Sequence, residues 1–253
     1  SCGKFSKIDL IGIRSERVGV ILGGLPVLLG LCEELGLRSL EPVDAGLRLG
    51  VLWDLQLRAS QQDRRDDSIA RFIARFGVDE LRATQVTANS AALFTQMKPD
   101  ADQLQRLLGW SAQLHEIGLV VSHTGFHKHG AYILDNADLT GFSMPELHRL
   151  SQLILGHRGK LKKLELEAKD SDFIAQLISL RIAAILCHAR RDPDLKGVSL
   201  KNAEDNTTGF VIQCKKSWIQ QWPQSAHLLR EESIAWQKTT WQLDFVEING
   251  KTI

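Results

Sequence analysis

Four of the eight histidines in this 253-residue chain lie within fifteen consecutive residues. They are His115, His123, His127 and His129, and Glu116 accompanies them. A helix that only packs in a core has little use for so many titratable rings. Imidazole can bind a metal ion, donate hydrogen bonds to phosphate or transfer protons near neutral pH. The spacing therefore predicts a pocket for one of these three tasks within the segment 115–142.

A metal ion is the first possibility. His115 and Glu116 at a predicted helix end, followed by His129, resemble the metal site of HD phosphohydrolase domains, where imidazole and carboxylate hold an ion that activates water. Two further ligands of that pattern are not found, because positions 83–86 read Ala-Thr-Gln-Val and positions 184–189 read Ala-Ile-Leu-Cys-His-Ala. We therefore predict a degenerate, metal-free HD-like site at His115, Glu116 and His129. An HD-type metallophosphohydrolase is the alternative.

A polyanion is the second possibility, because the segment 149–163 carries five basic residues and no acidic one. With the histidines it could line a groove in which cations and imidazole donors bind phosphate. The simpler alternative is a solvated loop whose cations complement a helix C-terminus. The predicted polyanion-binding residues here are His123, His127, Lys128, His129, His157, Arg158, Lys160, Lys162 and Lys163.

Other catalytic patterns are not found in the sequence. Gly23 and Gly24 are not preceded by a strand or followed by Lys-Ser/Thr, so they do not form a phosphate loop. No serine lies in a Gly-x-Ser-x-Gly frame, which argues against a serine hydrolase.

Composition limits the remaining classes of function. The 31 basic and 30 acidic side chains leave a net charge of +1, so we expect no sequence-specific nucleic-acid binding and no attraction to anionic membranes. The four cysteines lie far apart, which fits a reducing cytoplasm better than a disulfide scaffold. The apolar run 18–32 is shorter than the roughly 18 residues that span a bilayer, so we interpret it as a buried helix.

Three regions follow one another along the chain. Residues 1–58 predict an apolar helix at 16–36, a short strand at 39–43 and a second helix at 46–58. Residues 59–192 predict an all-α domain, because apolar residues recur at helical spacing and caps precede the runs. Residues 193–253 predict a small α+β domain with strands at 198–200, 209–214 and 240–246 and a helix at 225–238. The expected helices of the middle region are 64–76, 81–97, 100–118, 131–137, 143–156 and 170–189.

Several motifs resemble the C-terminal half of the exopolyphosphatase / guanosine-pentaphosphate phosphatase family. The resemblance covers nearly the whole chain, although Leu49 replaces an acid that is usual in the family. The matching motifs are Arg14-x-Glu-Arg17 to Gly24, Asp44-Ala-Gly-Leu-Arg48, His115-Glu-Ile-Gly118, His123-x-Gly125, His129-x-x-Tyr132-Ile-Leu-x-Asn136, Gly141-Phe-Ser143 and His157-Arg158.

The resemblance implies a multi-domain, mainly α fold. Residues 1–58 would be the end of a ribonuclease-H-like (actin-like) α/β lobe, residues 59–192 an HD-like helical domain and residues 193–253 a small α+β domain. The family hydrolyses terminal phosphate from polyphosphate or guanosine pentaphosphate with Mg²⁺. The resemblance adds Arg48 to the predicted polyanion-binding residues.

The resemblance also implies partners for the chain. They are polyphosphate or guanosine penta- or tetraphosphate, and a second copy of the chain in a homodimer. In the family, the catalytic lobe carries glycine loops and paired carboxylates, and no such segment occurs in this chain. We therefore expect no catalytic residue in it and no activity by itself, and we expect it to channel substrate and form dimer contacts. A non-catalytic nucleotide-binding module is the alternative.

Overall fold

The computed structural model describes residues 15–40, 46, 48, 50–52, 55, 64–164, 170–189, 195–204 and 208–249, without the side chains of 15–18, 162, 163 and 189. The chain divides into two compact units, residues 1–53 and 54–253. Among the described residues, no helix has both the length and the apolar character needed to cross a membrane.

The first unit contains one long helix, α1 (Ser15–Glu34), which confirms the helix predicted at 16–36. Apolar residues occur on most of its faces, but none of its described side chains is buried and Val20 is 74% exposed, so the prediction of a buried helix is wrong for this structure. Positions 39 and 40 are not in a strand, and positions 41–43 of the predicted strand lie outside the described residues. Positions 48, 50–52 and 55 are helical, as predicted for 46–58. The ribonuclease-H-like lobe stays a prediction.

The second unit begins with six helices. Acidic residues in the first turn favour α2, and Gly77, with φ of 62°, ends it. Asp79 caps α3 by accepting a hydrogen bond from the amide of Arg82. Ser143 and Glu146 form a capping box at α6. The six helices are α2 (Arg64–Phe76), α3 (Glu80–Met97), α4 (Asp102–Gln113), α5 (Phe126–Asp135), α6 (Met144–Gly156) and α7 (Ser171–Leu186).

Two helix boundaries, both in or beside the histidine segment, differ from the predicted ones by five residues, and the other described helix boundaries differ by less. Helix α4 ends at Gln113 instead of 118, and a 3-10 turn at Ile117–Val120 follows it. Helix α5 begins at Phe126 instead of 131, after Gly125 in a left-handed conformation with φ of 70°. His127 and His129 therefore lie in the first turns of this helix, although the sequence predicted that the helix begins after both of them.

The chain ends in an α+β segment, as predicted. Strands β1 (Val198–Asn202) and β2 (Gly209–Lys215) are antiparallel, and β3 (Gln242–Ile248) pairs parallel to β2. The parallel pairing needs a crossover, which α8 (Lys216–Gln221) and α9 (Pro223–Trp236) provide. Helix α8 is an addition to the prediction. No strand occurs among the described residues between 64 and 189, which fits the all-α prediction.

One hydrophobic core joins the helices to the sheet. Side chains from α3, α4 and α7 pack in the same cluster as side chains from all three strands. Trp218, Trp236 and Trp241 are buried in it, and Trp222 packs against it. A second cluster joins α2, α4, α5 and α6. The division at residue 192/193 stays a prediction.

Candidate functional site

Three of the histidines pack together with Phe126 between α4, α5 and the end of α6. The ring centroids of His115 and His157 are 5.5 Å apart at 88°, and those of His127 and His157 are 6.3 Å apart at 87°. Phe126 lies 5.5 Å from His157. Edge-to-face packing of this kind favours a fixed arrangement of rings. We call His115, His127 and His157 the histidine stack.

His115 is buried to 1% exposure at the base of the stack. Its Nδ1 lies 2.6 Å from the carbonyl oxygen of Ala112, and a carbonyl only accepts, so Nδ1 carries the proton. Burial lowers the pKa of His115 to about 4, although the bond to Ala112 opposes that change and the Arg82 charge adds to it. His115 is therefore neutral at pH 7. Its Nε2 has no hydrogen-bond partner among the described residues.

His157 is also buried, at 5% exposure, directly after α6. Its Nδ1 donates to the carbonyl of Ile154 over 2.6 Å. Burial holds the pKa of His157 well below its usual value, and His115 beside it acts in the same direction. The buried ring of His157 therefore packs on the inner side of the turn that follows α6. Its predicted contact with a polyanion stays a prediction.

His127 is half-buried and packs against the turn that follows α6. A Cβ placed on Gly159, whose φ is 88°, would lie 3.2 Å from the Nε2 of His127. Burial lowers the pKa of His127, and the charges of Lys128, Arg158, Arg181 and His129 add to the effect. The neutral ring can therefore sit among cations without repelling them.

A cavity of about 510 Å³ lies beside the stack. Two arginines and two histidines line it and give it donors for an anion, while Asp79 and Glu116 are its acidic members. Arg158 lies with its guanidinium 5.3 Å from the centre of the Phe126 ring. The cavity is lined by Phe76, Gly77, Val78, Asp79, Arg82, Glu116, Leu119, Val120, His123, Phe126, Arg158 and His188.

The inner wall of the cavity carries an ion pair. The Nε of Arg82 lies 2.8 Å from an Oε of Glu116, but its N–H is not aimed at that oxygen. An Nη of Arg82 donates to the carbonyl of Cys187 over 3.4 Å, which ties the start of α3 to the end of α7. Arg82 is thus held in place at the cavity wall, and guanidinium donors suit phosphate.

The structure brings some of the predicted residues to the cavity. His123 and Arg158 line it, and Glu116 does so beside His115. Lys128 and His129 lie in the first turns of α5, and Lys160 is exposed two residues after Arg158. The side chains of Lys162 and Lys163 lie outside the described residues. Arg48 is exposed in the first unit.

Arg82 and His188 are cavity residues that the sequence did not identify. Both lie next to the positions inspected for missing metal ligands, since Arg82 precedes 83–86 and His188 belongs to 184–189. The HD-like pattern requires a histidine in the first segment and an aspartate in the second, so it gives no role to Arg82 or His188. Their shared use of one cavity depends on the packing of α3 against α7.

The donor set around His115 does not fit a metal ion. Among the described residues, no group of three or more His, Cys, Asp or Glu side chains is placed to hold one. Glu116, which lies 4.0 Å from the Nε2 of His115, is already paired with Arg82. A cation in that position would also face the guanidinium. We therefore derive no chemical step through a metal here.

The sequence of this chain is similar to those of known proteins. The family described as Ppx/GppA phosphatase, domain III, matches residues 64–233. The guanosine-5'-triphosphate,3'-diphosphate pyrophosphatase of Aeromonas hydrophila subsp. hydrophila is 31% identical over 98% of this chain and 51% of its own length. The protein of the same name from Pseudoalteromonas translucida is 33% identical over 93% of this chain and 48% of its own length. The chain thus spans about half the length of the curated relatives it matches.

Proposed function

The chain belongs to the Ppx/GppA phosphatase family, and we propose that it is the substrate-binding, C-terminal portion of a phosphohydrolase acting on guanosine pentaphosphate. The relatives support this substrate through the activity that their name states. The cavity supports the binding role through its donors. In this proposal the chain binds and orients phosphate groups, and hydrolysis needs the rest of the longer enzyme.

The observation that carries the proposal is the pairing of Arg82 and Arg158 in one cavity with His123 and His188. Two guanidinium groups can each bind a phosphate through two parallel hydrogen bonds, which a lysine cannot do. The histidine stack beside the cavity carries no negative charge. The negative charge of the cavity lining therefore comes from Asp79 and Glu116. A phosphate entering the cavity would compete with Glu116 for Arg82.

The chemistry at the reacting phosphorus lies outside this chain in the proposal. Mg²⁺, which the family resemblance implies for the whole enzyme, would stabilise the transferred phosphoryl group while water attacks. The residues of this chain hold the substrate phosphates through the arginines, and Phe126 with the histidine stack fixes the position of Arg158. A homodimer, also implied by the resemblance, is part of the proposal, and analytical ultracentrifugation of the chain tests it.

Two neighbouring hypotheses make different predictions. Inorganic polyphosphate presents the same charges without a nucleoside, so it could use the same arginines. A nucleotide-binding module without turnover would also use them, but would not need a catalytic lobe. The first differs from our proposal in ligand preference, and the second in whether the longer enzyme releases phosphate.

Calorimetric titration of the purified chain tests the proposal. We expect guanosine pentaphosphate to bind, Arg158→Ala to weaken binding at least about tenfold, and Lys238→Ala, an exposed cation after α9, to leave it unchanged. The chain alone should release no phosphate. Equal binding by the wild type and Arg158→Ala would refute the assigned site. Tighter binding of tripolyphosphate than of guanosine pentaphosphate would favour polyphosphate as the substrate.

A further inference from the structure

A buried arginine lies behind the turn that carries Arg158. Arg181, in the middle of α7, is 5% exposed. One of its Nη atoms donates to the carbonyl of Gly156 over 2.6 Å, and the other donates to the carbonyl of Gly159 over 3.3 Å. Those two carbonyls bracket residues 157 and 158. The guanidinium therefore fastens both ends of the turn to α7.

The same guanidinium is paired with the C-terminal α+β segment. Its Nε and an Nη donate to the two carboxylate oxygens of Glu232 on α9, the second over 2.8 Å. Glu232 also accepts a hydrogen bond from the indole N–H of Trp236 over 2.6 Å. Both members of the ion pair are buried. The contacts with Glu232 thus hold the side chain of Arg181 against α9 of the C-terminal segment.

The turn held by Arg181 meets the histidine stack on its other side. Gly159 has φ of 88° and packs against the ring of His127. His157 lies in the stack, and Arg158 extends from the turn over Phe126 into the cavity. Because Arg181 holds both ends of the turn and His127 packs against Gly159, these contacts restrict the direction in which Arg158 leaves the turn.

We propose that Arg181 is a positioning residue for the anion site, and that it makes the placement of Arg158 depend on Glu232 of the C-terminal segment. Arg181 itself touches no ligand in this proposal and acts through the turn. The inference rests on the proposed anion-binding role of the cavity. It goes further by assigning the C-terminal segment a share in that binding.

A purely structural role for the pair is the competing explanation. Removing one member of a buried ion pair leaves the other charge without a partner and destabilises the fold, so single neutral variants cannot separate the two explanations. Replacing both members often leaves stability unchanged. The double variant Arg181→Met/Glu232→Gln removes both charges and keeps an acceptor for Trp236, while it frees the carbonyls of Gly156 and Gly159.

The test compares the melting temperature and the calorimetric affinity for inorganic tripolyphosphate, using the full chain. We expect the double variant to fold and to bind at least about tenfold more weakly than the wild type. Arg181→Lys keeps a charge opposite Glu232 but cannot span both carbonyls, so it should fold and bind with an intermediate affinity. Folded variants that bind as tightly as the wild type would overturn the inference.

A double-mutant cycle with Arg158→Ala shows whether Arg181 acts through Arg158. If it does, adding Arg158→Ala to the double variant causes little further loss, because the two sets of changes remove the same contact. Fully additive losses would overturn the inference. The proposed function fails separately, when the wild type does not bind or Arg158→Ala binds normally. The inference alone fails when Arg158→Ala weakens binding and Arg181→Met/Glu232→Gln does not.

Discussion

At the scale of single residues, Glu116 limits how strongly the cavity can attract an anion. Its carboxylate lies 2.8 Å from Arg82, the guanidinium that a phosphate would use. The pair is largely shielded from water, so its charges are only weakly screened. The carboxylate therefore both holds Arg82 in place and repels the ligand. Its substitution should separate these two effects.

Glu116→Gln should bind tripolyphosphate more tightly than the wild type, by up to about tenfold, because one negative charge leaves the cavity. Gln keeps the size of the side chain and can still contact Arg82. Calorimetry provides the measurement, and Glu231→Gln, an exposed change of the same type on α9, is the matched control. Weaker binding by Glu116→Gln would contradict this prediction. It would show that losing the contact that holds Arg82 in place outweighs removing the repulsion of the ligand.

The buried His115 should make stability depend on pH between about 7 and 4. Its pKa is about 4 in the folded chain, whereas an unfolded histidine has a value of about 6.5. As the pH falls below 6.5 the unfolded state takes up a proton that the folded state does not, so stability is complete above that pH and is lost below it. At pH 5 the loss from this residue is about 2 kcal/mol relative to pH 7.5.

Urea unfolding of the wild type and His115→Asn at pH 7.5 and pH 5 measures that loss. Asn can place an amide N–H towards the carbonyl of Ala112, so the variant retains the donor while losing the titration. The difference in stability between the two pH values should be smaller in the variant by about 2 kcal/mol. Equal differences would show that His115 is not the group that titrates.

Residue identities in the cavity were only partly predictable. His123 and Arg158 stood out because each lies in a local cluster of basic or imidazole side chains. Arg82 has no such neighbour, and His188 lies close to two arginines but far along the chain from the histidine segment. The two residues share the cavity because α3 packs against α7. The burial of His157 was equally hidden, since its sequence neighbours are glycine and basic residues. Packing between distant helices leaves no trace in local spacing.

At the scale of elements, glycine decides how closely the histidine segment can pack. Gly118, in the 3-10 turn after α4, lies against the backbone of α5. A Cβ at Gly118 would overlap the carbonyl oxygen of Phe126 and lie 2.5 Å from the amide nitrogen of Gly130. The start of α5, which carries Phe126 and His127, therefore depends on the missing side chain.

Gly118→Ala should strongly destabilise the chain, by about 2 kcal/mol or more, because backbone atoms must move apart. Gly109→Ala, inside α4, is the matched control, since its Cβ would meet only Thr87 at 3.9 Å. Alanine loses less backbone freedom than glycine when a helix folds, so Gly109→Ala should be more stable than the wild type by about 0.5 to 1 kcal/mol. Chemical denaturation measures both. A harmless Gly118→Ala would contradict the close backbone contact.

Most helices could be predicted because caps and apolar spacing agree. Ser143 with Glu146 identified the start of α6, and Gly77 identified the end of α2. The start of α5 was missed because glycines flank the segment 126–129 and its polar histidines hide the apolar spacing. The left-handed Gly125 lets the helix begin there without a side-chain cap.

At the scale of the whole molecule, the helices of the middle region share a core with the C-terminal sheet. Leu243 of β3 is fully buried in the same cluster as side chains of α7. The ion pair between Arg181 and Glu232 joins the same two parts. A continuous core of this kind favours cooperative unfolding of the two regions.

Leu243→Ala should cost about 2 to 5 kcal/mol and lower the protection of amides in α7 as much as in β2. Hydrogen exchange followed by mass spectrometry makes the comparison, with Val246→Ala, a more exposed position on the same strand, as the control. Loss of protection confined to the three strands would show that the C-terminal segment unfolds as a separate domain.

We propose that substrate phosphates bind in one place, the cavity that Arg82 and Arg158 line. The most direct test is an NMR titration of the isotope-labelled chain with guanosine pentaphosphate, following backbone amides, arginine Nε–H groups and histidine rings. We predict the largest shift changes at Arg82, His123, Arg158 and His188, and their loss in Arg158→Ala. Changes centred on another surface, such as the lysines 196, 201 and 215 around β1, would contradict the account.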